Sequence, residues 1–283
     1  MLSHSNQCRA RWASTRTCVL LHCCEELATR ALASGAKMPV FGLGVWQLAD
    51  GPETEQAIEW ALEAGYRLID TAAWYRNEHS VGVAIRRSGL PRESVFVTTK
   101  LTPTHIDASR QLAKSLERLG LEYVDLYLIH WPLPAGNTRV WHAFESLQDR
   151  GLARDIGVSN FGVGRLEKLL RRANRAPAVN QVHFSPFHPQ PELLDFCRQK
   201  EIVFEAYSPL ERGRGVHDPT VVAVAGRLGR TAAQVLLRWA IQHGAVVIPK
   251  SGGRERIIEN ARVFDLELAD DDMRLLDALA ARS

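Results

Sequence analysis

Eight short apolar runs recur along the chain, with amphipathic stretches between them. Each run is rich in β-branched residues and is bounded by glycine, proline or polar residues, which is typical of strands buried on both faces of a parallel sheet. The predicted strands are Val40–Leu43, Arg67–Ile69, Val95–Thr99, Val124–Ile129, Ala153–Val158, Val179–Val182, Val203–Ala206 and Val246–Ile248. The predicted helices are Glu53–Ala64, Asn77–Arg87, Ile106–Leu119, Val140–Asp149, Gly164–Arg172, Leu193–Lys200 and Thr231–Gln242, with an eighth that begins near Arg254.

Eight β/α units in succession predict an α/β fold of the (β/α)8, or TIM-barrel, type, as a single domain over residues 31–283. The alternative is an open, doubly wound sheet, which normally carries a glycine-rich dinucleotide fingerprint after an early strand. Gly42 and Gly44 are followed by Val45, Trp46 and Gln47, with no third glycine in place. The barrel is therefore favoured.

Residues 1–30 differ from the rest in composition, because they are rich in Arg, Ser, Thr and Cys and contain only two acids, Glu25 and Glu26. Three interpretations stay open for this N-terminal extension: a transit peptide, a disordered segment, and a start codon placed too far upstream. Four of the five cysteines lie in the first 24 residues without metal-ligand spacing, so no metal site is predicted there. With Cys197 alone in the remainder, a disulfide framework is excluded and a reducing, cytoplasmic location is expected.

Charge and hydropathy narrow the class of partner. The net charge of +3 is too small to indicate nucleic acid, and no apolar run is long enough to predict a membrane span. A mildly basic balance still fits an anionic ligand such as a phosphorylated cofactor.

Polar residues follow the predicted strands, at the end of a TIM barrel where catalytic groups collect. Asp70, Lys100 and His130 each come directly after an apolar run, and Tyr75 follows Asp70 by five residues. A carbonyl that accepts hydride becomes an alkoxide and needs a proton, which the Tyr75 phenol can give. We expect the Lys100 ammonium to lower the tyrosine pKa from its ordinary value near 10, Asp70 to fix Lys100, and His130 to orient the carbonyl oxygen. Each residue alone is more often structural; their joint placement carries the prediction.

Five separated segments together resemble the aldo-keto reductase family, in family order and over about Ala33 to Leu268. They are Gly65–Glu78 (GYRLIDTAAWYRNE), Leu128–Pro132, Ile156–Phe161, Ala206–Leu210 and Ile248–Ser251, the last followed by Arg256, Glu259 and Asn260. The resemblance implies a catalytic tetrad of Asp70, Tyr75, Lys100 and His130, with Tyr75 as general acid. It also implies NADPH bound at the barrel mouth, with Ser159, Asn160 and Gln181 on the nicotinamide amide, Tyr207 stacked on its ring, and Ser208 and Leu210 at the pyrophosphate.

The charges of the last segment also favour phosphate binding on physical grounds. Lys250, Ser251 and Arg256 would offer two charges and further donors beside a helix start, which suits the compact dianion of the adenosine 2′-phosphate. Glu259 and Asn260 lie one turn on, within reach of the adenine. A solvated basic helix end is the weaker interpretation.

Trp46 and Trp131 match positions that wall the substrate pocket in the family, with His130 beside them. The segments after Pro132 and Leu210 are short, so the pocket is expected to be open and to accept small aldehydes, ketoaldehydes and diketones. One departure concerns Gln181, which is followed by Val182 and His183 where the family usually carries an acid. A monomer is expected, and a non-catalytic NADPH-binding partner protein on the same fold stays as the alternative, against which the intact tetrad argues.

Overall fold

The computed structural model describes residues 28–104, 107–133 and 137–282. Residues 1–27, with their four cysteines, and the predicted helix start at Ile106 lie outside the described residues. The strands are β1 Thr29–Ala31, β2 Lys37–Pro39, β3 Leu43–Gly44, β4 Leu68–Asp70, β5 Phe96–Leu101, β6 Val124–Ile129, β7 Ala153–Ser159, β8 Val179–His183, β9 Val203–Tyr207 and β10 Val246–Val247. The helices are α1 Pro52–Glu63, α2 Glu78–Arg87, α3 Ala108–Leu119, α4 Asn137–Asp149, α5 Val163–Leu170, α6 Pro191–Gln199, α7 Pro219–Leu228, α8 Ala232–Gln242, α9 Arg254–Ala261 and α10 Asp270–Asp277.

Strands β3 to β10 are parallel neighbours in chain order, and they curl into a barrel with the helices between them. The barrel closes where Gly42 N donates to the Val247 carbonyl at 2.9 Å and Val247 N donates to the Val40 carbonyl at 2.9 Å. Gly44 is required at this seam, since a Cβ on it would lie 2.8 Å from the Ile248 carbonyl oxygen. The predicted eight-stranded barrel is confirmed.

A two-stranded antiparallel hairpin, β1–β2, precedes the barrel and was not predicted. Leu32 and Met38 are buried in one cluster with Leu68, Leu126 and Val246 of the barrel strands. The hairpin thus covers apolar side chains of the barrel interior that would otherwise meet water. Its first strand begins at Thr29, inside the predicted extension.

Helix α7 was also not predicted, although its ends carry clear signals. Asp218 accepts hydrogen bonds from Thr220 N and Val221 N, Pro219 occupies the first turn, and Gly229 ends the helix with φ of 60°. Helix α8 starts with a capping box in which Thr231 and Gln234 satisfy each other's backbone N–H groups. These helices pack Val221, Val224 and Trp239 into the outer core against the barrel.

In the described part of the chain, no helix combines the length and apolar character needed to cross a bilayer.

Candidate active site

The four predicted catalytic residues meet at the C-terminal end of the barrel. Asp70 ends β4, Lys100 lies in β5, His130 follows β6, and Tyr75 sits in a short 3-10 turn, Ala73–Tyr75. Lys100 Nζ donates to Asp70 Oδ1 at 2.6 Å, to the Thr71 carbonyl at 2.8 Å and to the Tyr75 hydroxyl at 3.3 Å. The ammonium thereby joins the carboxylate to the phenol.

Lys100 is fully buried, and a buried ammonium is tolerated only with close partners. Burial is the largest single influence and lowers the pKa of Lys100, but Asp70, Tyr75 and Glu205 together outweigh it, so the net pKa lies above its ordinary value. Lys100 is therefore charged at neutral pH and can donate to the phenol oxygen.

The phenol of Tyr75 differs from the expectation in one respect. Burial raises the pKa of Tyr75, and the Lys100 ammonium opposes this rise without overcoming it. The predicted direction of the Lys100 effect is confirmed, whereas the predicted net lowering is wrong because the sequence does not reveal how strongly the turn at Ala73–Tyr75 buries the phenol. Tyr75 is consequently protonated at neutral pH, as a proton donor must be.

His130 faces Tyr75 edge-on, with ring centroids 5.6 Å apart. Burial and the nearby Lys100 ammonium lower the pKa of His130 to about 3, so the imidazole is neutral at physiological pH. Its Nδ1 is buried and meets no hydrogen-bond partner among residues 28–104, 107–133 and 137–282. A neutral imidazole has one N–H to donate, and this ring lies beside the phenol from which a carbonyl oxygen would take its proton.

A second layer of polar groups supports Asp70 from within the barrel. Gln181 Nε2 donates to Asp70 Oδ2 at 2.7 Å and to Glu205 Oε2 at 2.8 Å, and all three side chains are buried. Gln181 was predicted to bind the nicotinamide amide, and Glu205 was not among the predicted site residues. A lone glutamate inside the apolar run Val203–Ala206 was the available signal, because a buried strand rarely carries an unpaired acid.

Replacing Glu205 with glutamine should remove a pH-dependent loss of stability. Burial, with a smaller contribution from Asp70, raises the pKa of Glu205 from 4.5 to about 8. The stability that depends on this proton is complete below the unfolded pKa and is lost as pH rises through about 8. Wild type should therefore lose about 4 kcal/mol relative to Glu205→Gln between about pH 5 and pH 9. Urea unfolding of both proteins across this range measures the difference, and parallel curves would contradict the prediction.

The predicted nicotinamide-binding residues lie together on the adjoining strand ends. Asn160 Nδ2 donates to Ser159 Oγ at 3.0 Å and to the His130 carbonyl at 3.1 Å, and Tyr207 Oη donates to Asn160 Oδ1 at 2.9 Å. Asn160 and Ser208 both have left-handed backbone, with φ of 63° and 51°. Non-glycine residues in this conformation are held there at a cost and cluster at functional sites.

The predicted phosphate-binding residues lie at the N-terminus of α9. Ser251 is buried with its Oγ within 3.3 Å of Gly253 N, while Lys250 and Arg256 are exposed. Asn260 is buried, and within the described chain its Oδ1 is left without a hydrogen-bond partner. Glu259 is half-buried and its carbonyl accepts from Gln234 Nε2 at 2.9 Å. Exposed cations, an ordered hydroxyl and an unpaired buried amide fit the phosphate and base of an adenine nucleotide.

Three tryptophans stand exposed beside the tetrad: Trp46 at 37%, Trp74 at 55% and Trp131 at 43%. Trp74 was not among the predicted pocket residues, but its ring lies edge-on to His130 with ring centroids 5.8 Å apart. The Arg212 guanidinium lies 5.0 Å from the Trp46 ring centroid. Leu210, two residues before Arg212, is half-buried, and its carbonyl accepts from Gly213 N at 2.9 Å. Exposed aromatic faces around a polar centre are typical of a small-molecule pocket.

Comparison with known proteins relates this site to one family. The profile of the Aldo/keto reductase family matches residues 40–281. The chain is 47% identical over 254 residues to a glyoxal reductase of Bacillus subtilis, covering 89% of this chain and 92% of the relative. It is 46% identical over 254 residues to a 9,11-endoperoxide prostaglandin H2 reductase of Trypanosoma cruzi, covering 88% and 90%. Among solved structures, an aldo/keto reductase from Brucella melitensis superposes with a TM-score of 0.85 at 41% identity, covering 89% of this chain and 99% of that one.

Proposed function

The chain belongs to the aldo/keto reductase family, an oxidoreductase family that acts on carbonyl and alcohol groups, and we propose that it reduces small aldehydes, ketoaldehydes and diketones with NADPH. One observation carries the proposal: Lys100 Nζ contacts both Asp70 Oδ1 and the Tyr75 hydroxyl, beside a neutral His130. This arrangement supplies a proton and an N–H donor to one oxygen atom.

The protein's own residues perform the acid half of the reaction. The neutral His130 ring donates an N–H to the carbonyl oxygen and orients it toward the Tyr75 phenol. The Tyr75 O–H bond breaks as the proton moves to that oxygen, and the Lys100 ammonium stabilises the phenolate that is left. Solvent returns the proton to Tyr75 after the alcohol leaves. When bound by the residues named below, a nicotinamide dinucleotide would supply the hydride for the new C–H bond.

The residues that would hold this cofactor are those of the strand ends and of α9. Ser159, Asn160 and Gln181 would bind the nicotinamide amide, Tyr207 would stack on its ring, and Ser208 and Leu210 would contact the pyrophosphate. Lys250, Ser251 and Arg256 would bind the 2′-phosphate, and Glu259 and Asn260 the adenine. The buried, unpaired Asn260 Oδ1 supports this assignment, because it offers an acceptor where an adenine amino group needs one.

Replacing Arg256 with alanine should raise the Kd of NADPH by about tenfold and leave the Kd of NADH within about twofold, because a guanidinium pairs with phosphate but has no partner in NADH. Arg254→Ala is the matched control, since Arg254 is equally exposed in the same helix. Fluorescence titration with both cofactors measures the effect. An equal rise for NADPH and NADH would remove Arg256 from the phosphate site.

Replacing Trp46 with alanine should change substrate preference more than cofactor affinity, because the exposed Trp46 ring is expected to wall the substrate pocket. We expect the ratio of kcat/KM values for a bulky and a small aldehyde to change by about tenfold, the effect of losing one large apolar contact. Steady-state kinetics with both aldehydes and an NADPH titration check this. A raised cofactor Kd with an unchanged ratio would show that Trp46 is not a pocket wall.

The function is tested by a screen of carbonyl compounds against NADPH and NADH, with purified protein. The name of the Bacillus subtilis relative, glyoxal reductase, places short dicarbonyls first in that screen. We expect NADPH oxidation with several small ketoaldehydes and aromatic aldehydes, at comparable kcat/KM. A single strong substrate would overturn the proposal of broad specificity. NADPH binding with no turnover of any carbonyl would favour the non-catalytic alternative.

A further inference from the structure

Three potential metal ligands lie outside the proposed tetrad, at the C-terminal ends of β8 and β9. They are His183, the last residue of β8, His188 in the loop after it, and Glu211 in the loop after β9. His183 Nε2 lies 2.9 Å and His188 Nδ1 lies 3.0 Å from the same Glu211 Oε1. We propose that His183, His188 and Glu211 bind one divalent transition-metal ion of the zinc class.

The donor set matches this class of ion. Two imidazole nitrogens with one carboxylate form the ligand set of zinc sites that keep an open fourth position, whereas Mg²⁺ and Ca²⁺ prefer oxygen alone. A tetrahedral ion about 2.0–2.1 Å from each ligand keeps the ligand atoms roughly 3.3 Å apart. The three ligand atoms here all lie within 4.8 Å of one another, so side-chain rotation is enough to surround an ion.

The surroundings favour a bound ion over a simple hydrogen-bonded cluster. One carboxylate oxygen, Glu211 Oε1, contacts His183, His188 and the Ser185 hydroxyl, so two imidazoles share a single acceptor. A cation bound between them would let both imidazole nitrogens and the carboxylate act as ligands. Ser185 fixes this carboxylate from the buried side, as outer partners do in metal sites. The His188 side chain is 53% exposed, which leaves an entry path for the ion and room for a water molecule as fourth ligand.

The site joins two loops at the mouth of the barrel. The His183 ring stacks on Tyr207 with ring centroids 5.6 Å apart, and Glu211 follows Leu210 directly in the chain. An ion held by His188 and Glu211 would therefore tie the loop after β8 to the loop that carries Ser208. The binding proposal itself does not depend on the proposed reductase activity, because it is measured by the ion alone.

The test is calorimetric titration of the full-length protein with ZnCl2, after its accessible thiols have been alkylated. Alkylation removes the thiols of the first 24 residues as competing ligands, while Cys197 is buried and burial raises the pKa of its thiol to about 11. We expect one equivalent of Zn²⁺ to bind with micromolar or tighter Kd, and His188→Ala and Glu211→Gln each to weaken binding by about tenfold or more. His188 is the safer variant for folding because of its exposure.

His243→Ala is the matched control. His243 Nε2 lies 2.9 Å from Asp277 Oδ1, and in the described residues no third ligand side chain groups with that pair. Its replacement should leave the Kd of Zn²⁺ unchanged. Equal zinc binding by wild type and His188→Ala, or no binding by wild type, would overturn the proposal and leave a hydrogen-bonded cluster. Circular dichroism of each variant verifies that a lost signal is not lost folding.

Discussion

Replacing Tyr75 with phenylalanine should lower kcat for carbonyl reduction by about a thousandfold, because a positioned general acid typically contributes 10²–10⁴-fold. The phenol is the group that Lys100 Nζ contacts at 3.3 Å, and phenylalanine keeps the ring while removing the proton. The Kd of NADPH should stay within about twofold, since the change removes an interaction made in the transition state. Loss of NADPH absorbance with methylglyoxal, together with a fluorescence titration of NADPH, measures both quantities.

Tyr123→Phe is the matched control for this substitution. Tyr123 stands just before β6, at the opposite end of that strand from His130, and its ring contacts the guanidinium groups of Arg92 and Arg154, so its hydroxyl has no part in the proposed reaction. It should reduce methylglyoxal at the wild-type rate. If Tyr75→Phe also kept the wild-type rate, Tyr75 would be excluded as the proton donor.

Replacing Lys100 with methionine should lower both activity and stability. The Asp70 carboxylate would lose the ammonium 2.6 Å away and stay in the barrel interior, and breaking a buried ion pair from one side costs about 3–5 kcal/mol. The variant should also lose about a hundredfold or more in kcat/KM, because the phenolate of Tyr75 would form without a neighbouring cation. Urea unfolding and steady-state kinetics measure the two effects.

The double variant Asp70→Asn, Lys100→Met separates these effects. It removes the uncompensated charge, so most of the lost stability should return while the activity stays low. Recovery of activity together with stability would mean that Lys100 supports the fold and has no direct part in proton transfer.

Most of the barrel strands could be predicted because parallel strands that are buried on both faces appear in the sequence as apolar runs. The elements that were not predicted lack that pattern. Strand β1, Thr29–Ala31, is exposed at all three residues and therefore has no run of apolar residues to mark it. Helix α7 is rich in valine and contains Gly226, so its periodicity resembles a strand, although Asp218 and Gly229 mark its ends. The first barrel strand was predicted at Val40–Leu43, but the residues that pair with β4 are Leu43–Gly44. The difference arises because contacts between distant strands, which the local sequence does not show, decide where pairing begins.

The meeting of Asp70, Tyr75, Lys100 and His130 could be predicted because each stands directly after or close behind an apolar run, and such positions meet at one end of a barrel. Glu205 and the His183, His188 and Glu211 group were missed for a different reason. Their partners lie on or just after neighbouring strands, with His183 and Glu211 28 positions apart in the chain, and only the parallel pairing of β8 with β9 brings them together. The net pKa of Tyr75 could not be predicted either, because burial outweighs the Lys100 ammonium and the degree of burial is set only in the fold.

The hydrogen bonds of Gln181 have a consequence for how such a barrel can be divided. Asp70 and Lys100 belong to the first four barrel strands, whereas Gln181 and Glu205 belong to the last four. A fragment that ends between β6 and β7 would keep the buried pair of Asp70 and Lys100 but lose the Gln181 amide that donates to Asp70. Each half-barrel alone would thus leave polar atoms without partners in its interior. The polar groups at the barrel mouth therefore make each half depend on the other. Two separately expressed half-barrel fragments should become ordered only when they are mixed.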